Sequence, residues 1–383
     1  MEVHVRTLKV IWHGPLGFAA TALIVATLAA ASCRPLDAAA EQQATAGYDV
    51  GARPVAVAVA DLNGDKSLDV AVANSGGGTV SVLLGVGGGR LRRAEGSPFA
   101  AGREPSDVRA ADFDRDGDVD LAFANHETSR VTVLLNDGRA RFAPAPGSPF
   151  ETGARPHVHG LATADFDGDG WTDVAVESAD SQEVRILRGG PRGFGEVSAV
   201  SVGTMPYYRL GAADVTGDGV ADVLVPGHGD STVRAVRREG SRMALAAWSI
   251  RLAGQPWAVV GDDLNGDRRA DIVVVQTDAV SVWHAGRDGF SQARNSPFAL
   301  RGANAVATGD LDGDGAADVA VGPWDGDEVT ILSGREMTAR KVRACARPIG
   351  LAVADLDGDR RNELLVACAN ADRLVILTRP VGR

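Results

Sequence analysis

Four aspartates fall within nine residues at Asp165, Asp167, Asp169 and Asp173, in the stretch ADFDGDGWTDVAV. Like charges at that spacing repel unless a cation sits among them. Positions 1, 3 and 5 of a tight turn aim carboxylates inward, position 7 adds a backbone carbonyl, and an acid at position 9 closes the shell. That is an all-oxygen donor set suited to calcium. Asp112, Asp114, Asp116 and Asp120 repeat the pattern, as do Asp310, Asp312, Asp314 and Asp318. Four further copies depart from it. They are Asp61, Asn63, Asp65 and Asp69; Asp214, Thr216, Asp218 and Asp222; Asp263, Asn265, Asp267 and Asp271; and Asp355, Asp357, Asp359 and Glu363. Asparagine keeps an oxygen at lower charge, whereas Thr216 is a weaker ligand. Lys66, Arg268 and Arg360 replace the glycine expected at position 6, where a side chain is strained if the turn needs positive φ. An EF-hand is excluded, because it requires Glu at position 12. Asx-turns alone explain one or two acids per turn, not four.

The acids also explain the charge. The formal net charge is −11, and about half of the 50 Asp and Glu residues occupy ligand positions. Up to seven calcium ions are expected, and seven would bring the formal charge to about +3. The acidity therefore defines no partner class, and no nucleic-acid partner is expected. No G-x-S-x-G elbow, H-E-x-x-H pair or phosphate-cradling loop occurs.

The elements that must carry these loops follow from their surroundings. The seven registers begin at Asp61, Asp112, Asp165, Asp214, Asp263, Asp310 and Asp355, 45 to 53 residues apart. A period of that size without helical heptads implies propeller blades. Each unit places alternating residues before the acids (VAVAVAD), a second apolar strand after them (DVAVAN, DLAFAN) and then a third (VSVLL, VTVLL). The expected fold is all-β, a seven-bladed propeller of four-stranded antiparallel blades. The last unit stops after its third strand, and QATAGYDVGARP (residues 43–54) reads as a spare fourth strand. The N-terminal strand should therefore complete the last blade. The propeller is assigned to 47–383 and is expected to be monomeric.

Ahead of it, Arg6 and Lys9 precede the uncharged run LGFAATALIVATLAAA (residues 16–31). That length suits a signal-peptide core rather than a membrane span. Residues 1–33 are read as a signal peptide and 34–46 as a linker. AASC resembles a bacterial lipobox with Cys33 as the lipidated residue, and ordinary cleavage near DAAA (residues 37–40) is the alternative. Either way the protein is exported: periplasmic, a cell-surface lipoprotein or secreted, touching a membrane only through signal or lipid. Cys345 and Cys368 then remain as an even pair in an oxidising compartment. Cys345 precedes the last blade's first strand and Cys368 ends its second. Antiparallel neighbours bring those ends together, so a disulfide is expected, with two buried thiols as the alternative.

ADFDGDGWTDVAV, TVSVLLG and the GSPF turns at Gly96 and Gly147 resemble FG-GAP/VCBS repeats over roughly residues 47–383. This family includes the integrin α-subunit propeller and many exported bacterial proteins. The resemblance implies a calcium-stabilised propeller used for adhesion or ligand binding, and it names no ligand.

The acidic loops join first and second strands and so share one face of the ring. The opposite face carries the other connections. His126, Glu177, His228 and Trp324 are placed in those between second and third strands. His157, His159, Tyr207, Tyr208, Arg209 and Trp257 are placed in those that lead into the next blade. Aromatic rings with charged and imidazole groups around a concave mouth suit a polar ligand, either a polysaccharide or a cell-surface or protein ligand. Alternatively Tyr207 and Trp257 pack between blades. His157 and His159 sit on one side of a strand and could hold a transition metal, given a third ligand. A binding module is the leading expectation. A calcium-dependent polysaccharide lyase or hydrolase acting on this face is the alternative.

Overall fold

The structure is a computed structural model that describes residues 45–378 and 380. The signal segment with Cys33, and all of the linker except residues 45 and 46, lie outside the described residues.

Seven antiparallel sheets follow one another along the chain, and among the described residues there is no helix. Each sheet is one blade, running outward from an inner first strand. The first strands stand side by side: Pro54–Ala60 packs against Pro105–Ala111 on one side and Pro348–Ala354 on the other, so the last blade meets the first. The chain ends fasten the ring. Thr45–Asp49 is the outermost strand of the last blade, with Thr45 opposite Leu377 and Asp49 opposite Arg373. It starts two residues before the expected boundary.

Second strands such as Asp69–Asn74 and Asp120–Asn125 are buried at every residue. Both of their faces are covered by neighbouring blades, which is why they read as unbroken Val/Ala/Leu runs rather than alternating ones. The core is therefore divided among blade interfaces, with one apolar cluster at each of seven. Val80 and Val82 of the first blade, for example, pack with Leu121 and Phe123 of the second. The residue after each leading aspartate, such as Leu62, Phe113 or Phe166, is buried in the same layers. It anchors the acidic loop to the core.

The fourth strands depart from the simple pattern. In blades one, two, four and five they are split, as in Leu91–Arg93 and Phe99–Ala100, which both pair with Thr79–Gly85. The Ser-Pro turns make three of these breaks. There the hydroxyls of Ser97, Ser148 and Ser296 accept the third-strand N–H of Val82, Val133 and Val282 at 2.9 Å. A side chain thus replaces the ladder acceptor that the break removes. In the last blade Cys345 and Cys368 form a disulfide with Cα atoms 5.8 Å apart, beside the pairing of Pro348 with Cys368.

Candidate functional site

On the acidic rim all seven loops share one hydrogen-bond plan. The leading aspartate accepts backbone N–H groups from positions 4 and 6. For Asp165 the donors are Gly168 and Gly170, both at 2.7 Å. This requires positive φ at both positions. Glycine supplies it at both positions in loops three, four and six, while Arg115 (φ 62°), Lys66 (69°), Arg268 (68°) and Arg360 (70°) adopt it at a cost in the other four. The need at position 6 was legible in the sequence. The need at position 4 was not.

Position 9 opens each second strand and is buried: Asp69, Asp120, Asp173 and Asp271 are fully inaccessible, and Asp222, Asp318 and Glu363 nearly so. It accepts the position-2 N–H in every loop. In loops one, two, three, five and six its second oxygen accepts an N–H at or just past the end of the third strand. For Asp120 these come from Phe113 at 2.9 Å and Asn136 at 2.8 Å. Glu363, one methylene longer, reaches the same position-2 donor, Leu356, at 2.8 Å. Where the third strand ends in glycine, as at Gly334, a Cβ would lie 2.1 Å from the Ala317 carbonyl oxygen. Only glycine fits that approach.

Burial pushes these carboxyls up, to about 7 for Asp120, Asp173 and Glu363 and about 6 for Asp69, Asp222 and Asp318. Neighbouring carboxylates in the loop add to the effect. In loops two, three and six, carboxylate oxygens of positions 1, 3 and 9 lie within 4.8 Å of one another: Asp112, Asp114 and Asp120; Asp165, Asp167 and Asp173; Asp310, Asp312 and Asp318. Position 5 stands apart from these triplets. Its oxygen accepts the N–H of position 7, as Asp116 does from Asp118 at 2.8 Å. The donor set, carboxylate oxygens from positions 1, 3 and 9, fits a hard dication.

Loop five differs in a way the sequence reading missed. The imidazole of His284, at the end of the third strand, lies 2.9 Å from Asp271 and partly offsets its burial. Arg188 pairs with Asp167 at 3.2 Å and Arg335 with Asp314 at 3.3 Å.

The opposite rim is uneven, and the sequence marks where. Proline lies seven residues before the leading aspartate at Pro54, Pro105, Pro256 and Pro348, but nine before at Pro156 and eight before at Pro206. The extra residues shorten the first strands of blades three and four to Leu161–Ala164 and Gly211–Ala213. The released backbone finds other partners. The N–H of His159 donates to Glu177 Oε1 at 2.6 Å, and that of Arg209 donates to the Trp257 carbonyl at 3.0 Å. Tyr208 between them stands at φ 81°.

Three placements read from the sequence are corrected: His157 and His159 lie in the irregular lead-in before Leu161–Ala164 rather than on one side of a strand, and two others move into strands. Glu177 is not in a connection but inside the second strand Asp173–Ser178, with its side chain fully buried. Trp257 is not in a connection either. It lies in the first strand Pro256–Asp262, at the register shift between Pro256 and Ala258. A bulge there turns the indole outward, and its Nε1 donates to Thr277 Oγ1 at 3.1 Å. His126, His228 and Trp324 do lie in second-to-third-strand turns.

Nine of these ten residues form one continuous cluster. His157 and His159 have their Nε2 atoms 3.0 Å apart, and His159 Nδ1 lies 2.8 Å from Glu177 Oε1. The His126 ring is 4.3 Å from that of His157, and Tyr207 is 4.5 Å from His159. Tyr207, Tyr208, His228 and Trp257 continue the chain of rings, with Arg209 5.7 Å over Tyr208. Burial pushes His159 down to about 4, His157 down, and Glu177 well up. The pair is therefore held towards its uncharged forms. Glu177 Oε2 is buried without a partner.

Trp324 stands apart, across the mouth of the ring, with Arg347 stacked 4.6 Å over it. A recess of about 290 Å³ joins the two sides, lined by Arg53, Glu104, His126, Tyr208, Arg209, Trp324 and Arg347 among others. Arg53, Glu104 and Arg347 were not singled out in the sequence. Arg209 and Arg347 each hold a buried Nε without a hydrogen-bond partner.

Residues 61–123, 114–176 and 263–321 match the family model of the FG-GAP-like repeat. Those residues, a little under half of the chain, carry FG-GAP-like repeats, and the described residues fold as a seven-bladed β-propeller. No curated protein matches it by sequence. Among solved structures it is similar to a chain in the crystal structure of BBS1N in complex with ARL6DN, at 15% identity and TM-score 0.61, covering 88% of this chain and 97% of that one. It is also similar to virginiamycin B lyase from Staphylococcus aureus, at 9% identity and TM-score 0.57, covering 88% and 99%. At such identities the likeness is one of fold alone.

Proposed function

We propose that this protein is an exported, calcium-loaded binding module that holds an anionic polar ligand, an acidic polysaccharide, at the mouth of its ring. The observation that carries the reading is the recess lined by Arg53, Arg209 and Arg347. Two of its guanidinium Nε groups are buried and unpartnered, and Trp324 offers an indole that is 44% exposed. Buried donors without acceptors are costly unless a ligand supplies them. An aromatic face beside carboxylate-binding donors suits a uronate ring. Calcium is supported by the three converging carboxylate triplets and the buried position-9 acids. Export is supported by the apolar run after Arg6 and Lys9, and it agrees with a disulfide that persists in oxidising compartments.

The test is a binding screen of polyuronates and neutral polysaccharides against calcium-loaded protein, with Trp324→Ala and Arg347→Gln as variants. Binding of a uronate polymer that weakens at least about tenfold in each variant, about 1.4 kcal/mol, supports the reading. Equal binding of neutral polymers, or variants that bind like the parent, would sink it. The His159–Glu177 pair close to Tyr208 favours a second reading, a lyase or hydrolase for the same polymer. Turnover that disappears in Tyr208→Phe while binding survives would select it.

A further inference from the structure

The three histidines on the decorated rim form a unit of their own, of which only His126 lines the recess. His126 comes from a turn in blade two, and His157 and His159 from the enlarged lead-in to blade three. One ring nitrogen from each lies within 4.8 Å of the other two. We propose that His126, His157 and His159 bind a borderline transition dication of the zinc class, with Glu177 as the carboxylate that orients His159.

The geometry is that of imidazoles converging on one centre. Two nitrogens bound to zinc at 2.0–2.1 Å in tetrahedral geometry stand about 3.3 Å apart. His157 Nε2 and His159 Nε2 are 3.0 Å apart. Both rings must be neutral to ligate. Glu177 supplies the second observation. Its Oε1 lies 2.8 Å from His159 Nδ1, so that an Nδ1–H donates to the carboxylate and leaves the Nε2 lone pair facing His157. A carboxylate behind a metal-bound imidazole fixes its tautomer and raises its basicity. Glu177 is fully buried, and among the described residues its Oε2 has no partner and no Arg or Lys pairs with it. A dication beyond the imidazole would stabilise that buried carboxylate through the ring. His126 is the open side of the site. It is half-exposed, lines the recess, and has Glu104 and Glu127 3.8 and 3.6 Å from Nδ1. Three imidazoles leave a fourth position for water or an anionic ligand group. The donor chemistry separates this site from the acidic loops, because nitrogen ligands select transition metals and all-oxygen sets select calcium.

The site stands independently of the uronate reading, and its test needs no polysaccharide. Cobalt(II) is titrated into full-length protein kept in saturating calcium, so that the acidic loops are occupied. The expected result is one equivalent giving the intense visible absorption of a tetrahedral nitrogen-ligated ion and displaced stoichiometrically by zinc. His157→Ala should abolish the band. His126→Asn, at a half-exposed turn that tolerates change, should weaken or abolish it. Glu177→Gln should lower affinity roughly 10–100-fold while the melting temperature stays calcium-dependent. Absence of a stoichiometric band in the parent protein overturns the proposal, as does a band that persists in His157→Ala. Unchanged affinity in Glu177→Gln overturns the role given to Glu177.

Discussion

Stripping the protein of divalent ions should invert the way its stability depends on pH. The position-9 carboxyls are buried, and burial raises the folded pKa of all but Asp271 to about 6 or 7, while in the unfolded chain they return to 3.8 for Asp or 4.5 for Glu. An acid whose folded pKa is raised binds more protons folded than unfolded. Its native state is therefore favoured below about pH 4 and progressively penalised as pH rises to about 7. At about 1.4 kcal/mol per pH unit, Asp120 or Asp173 costs roughly 4 kcal/mol once ionised. Two such loops reach the size of an ordinary domain's whole stability, about 5–15 kcal/mol.

Calcium bound as proposed should reverse the sign, because it needs the carboxylate and competes with the proton. The assay is thermal unfolding of metal-free and calcium-loaded protein at about pH 5, 6, 7 and 8, followed by circular dichroism. At about 2 °C per kcal/mol for a chain of this length, the metal-free melting temperature should fall by well over 5 °C from about pH 5 to about pH 8. The gap between loaded and stripped curves should widen over the same range. A gap independent of pH, or a metal-free curve that rises with pH, would refute the reasoning. Either result would mean that the buried carboxylates already have their counter-charge.

Asp120→Asn removes one buried charge and keeps one of the two oxygens that accept from Phe113 and Asn136, so the charge removed, roughly 4 kcal/mol at about pH 8, outweighs the one donor left unpaired. At about pH 8 it should melt higher than the parent without calcium and gain less when calcium is added, read by the same scans. Gly334→Ala forces a methyl against the Ala317 carbonyl and should cost about 1–3 kcal/mol in urea unfolding. Replacing Cys345 and Cys368 together by Ser opens a loop spanning 23 residues and should cost roughly 3 kcal/mol in the chain-entropy picture, measured by denaturant midpoint under non-reducing conditions.

The two rims were unequally legible in the sequence, for a physical reason. A position used in every blade is written seven times, so the fold, the acidic loops and the N-terminal closing strand could be read by laying repeats over one another. Even the strain at Lys66, Arg268 and Arg360 followed from comparing position 6 with its glycine counterparts, and their φ values of 68–70° show it. The same comparison missed position 4, because six glycines there hide a requirement that only Arg115 exposes. It also missed His284, whose contact with Asp271 crosses from the third strand back to the loop.

The decorated rim is written once, and its chemistry comes from places where the repeat fails. Blades three and four carry two and one extra residues between proline and leading aspartate, and those blades lose the outer halves of their first strands. Backbone N–H groups freed there cannot stay unpaired. A buried glutamate is recruited for His159, and a neighbouring blade's carbonyl for Arg209. In blade two the equivalent segment keeps its full strand, Pro105–Ala111, and its buried Asp107 accepts the N–H groups of Val108 and of Leu161 in blade three. A local loss of sheet thus places an acid behind an imidazole and turns tyrosines and an arginine toward the mouth of the ring. Residue type picked out the side chains in the sequence, and the repeat length from proline to aspartate marks where the strands shorten to place them.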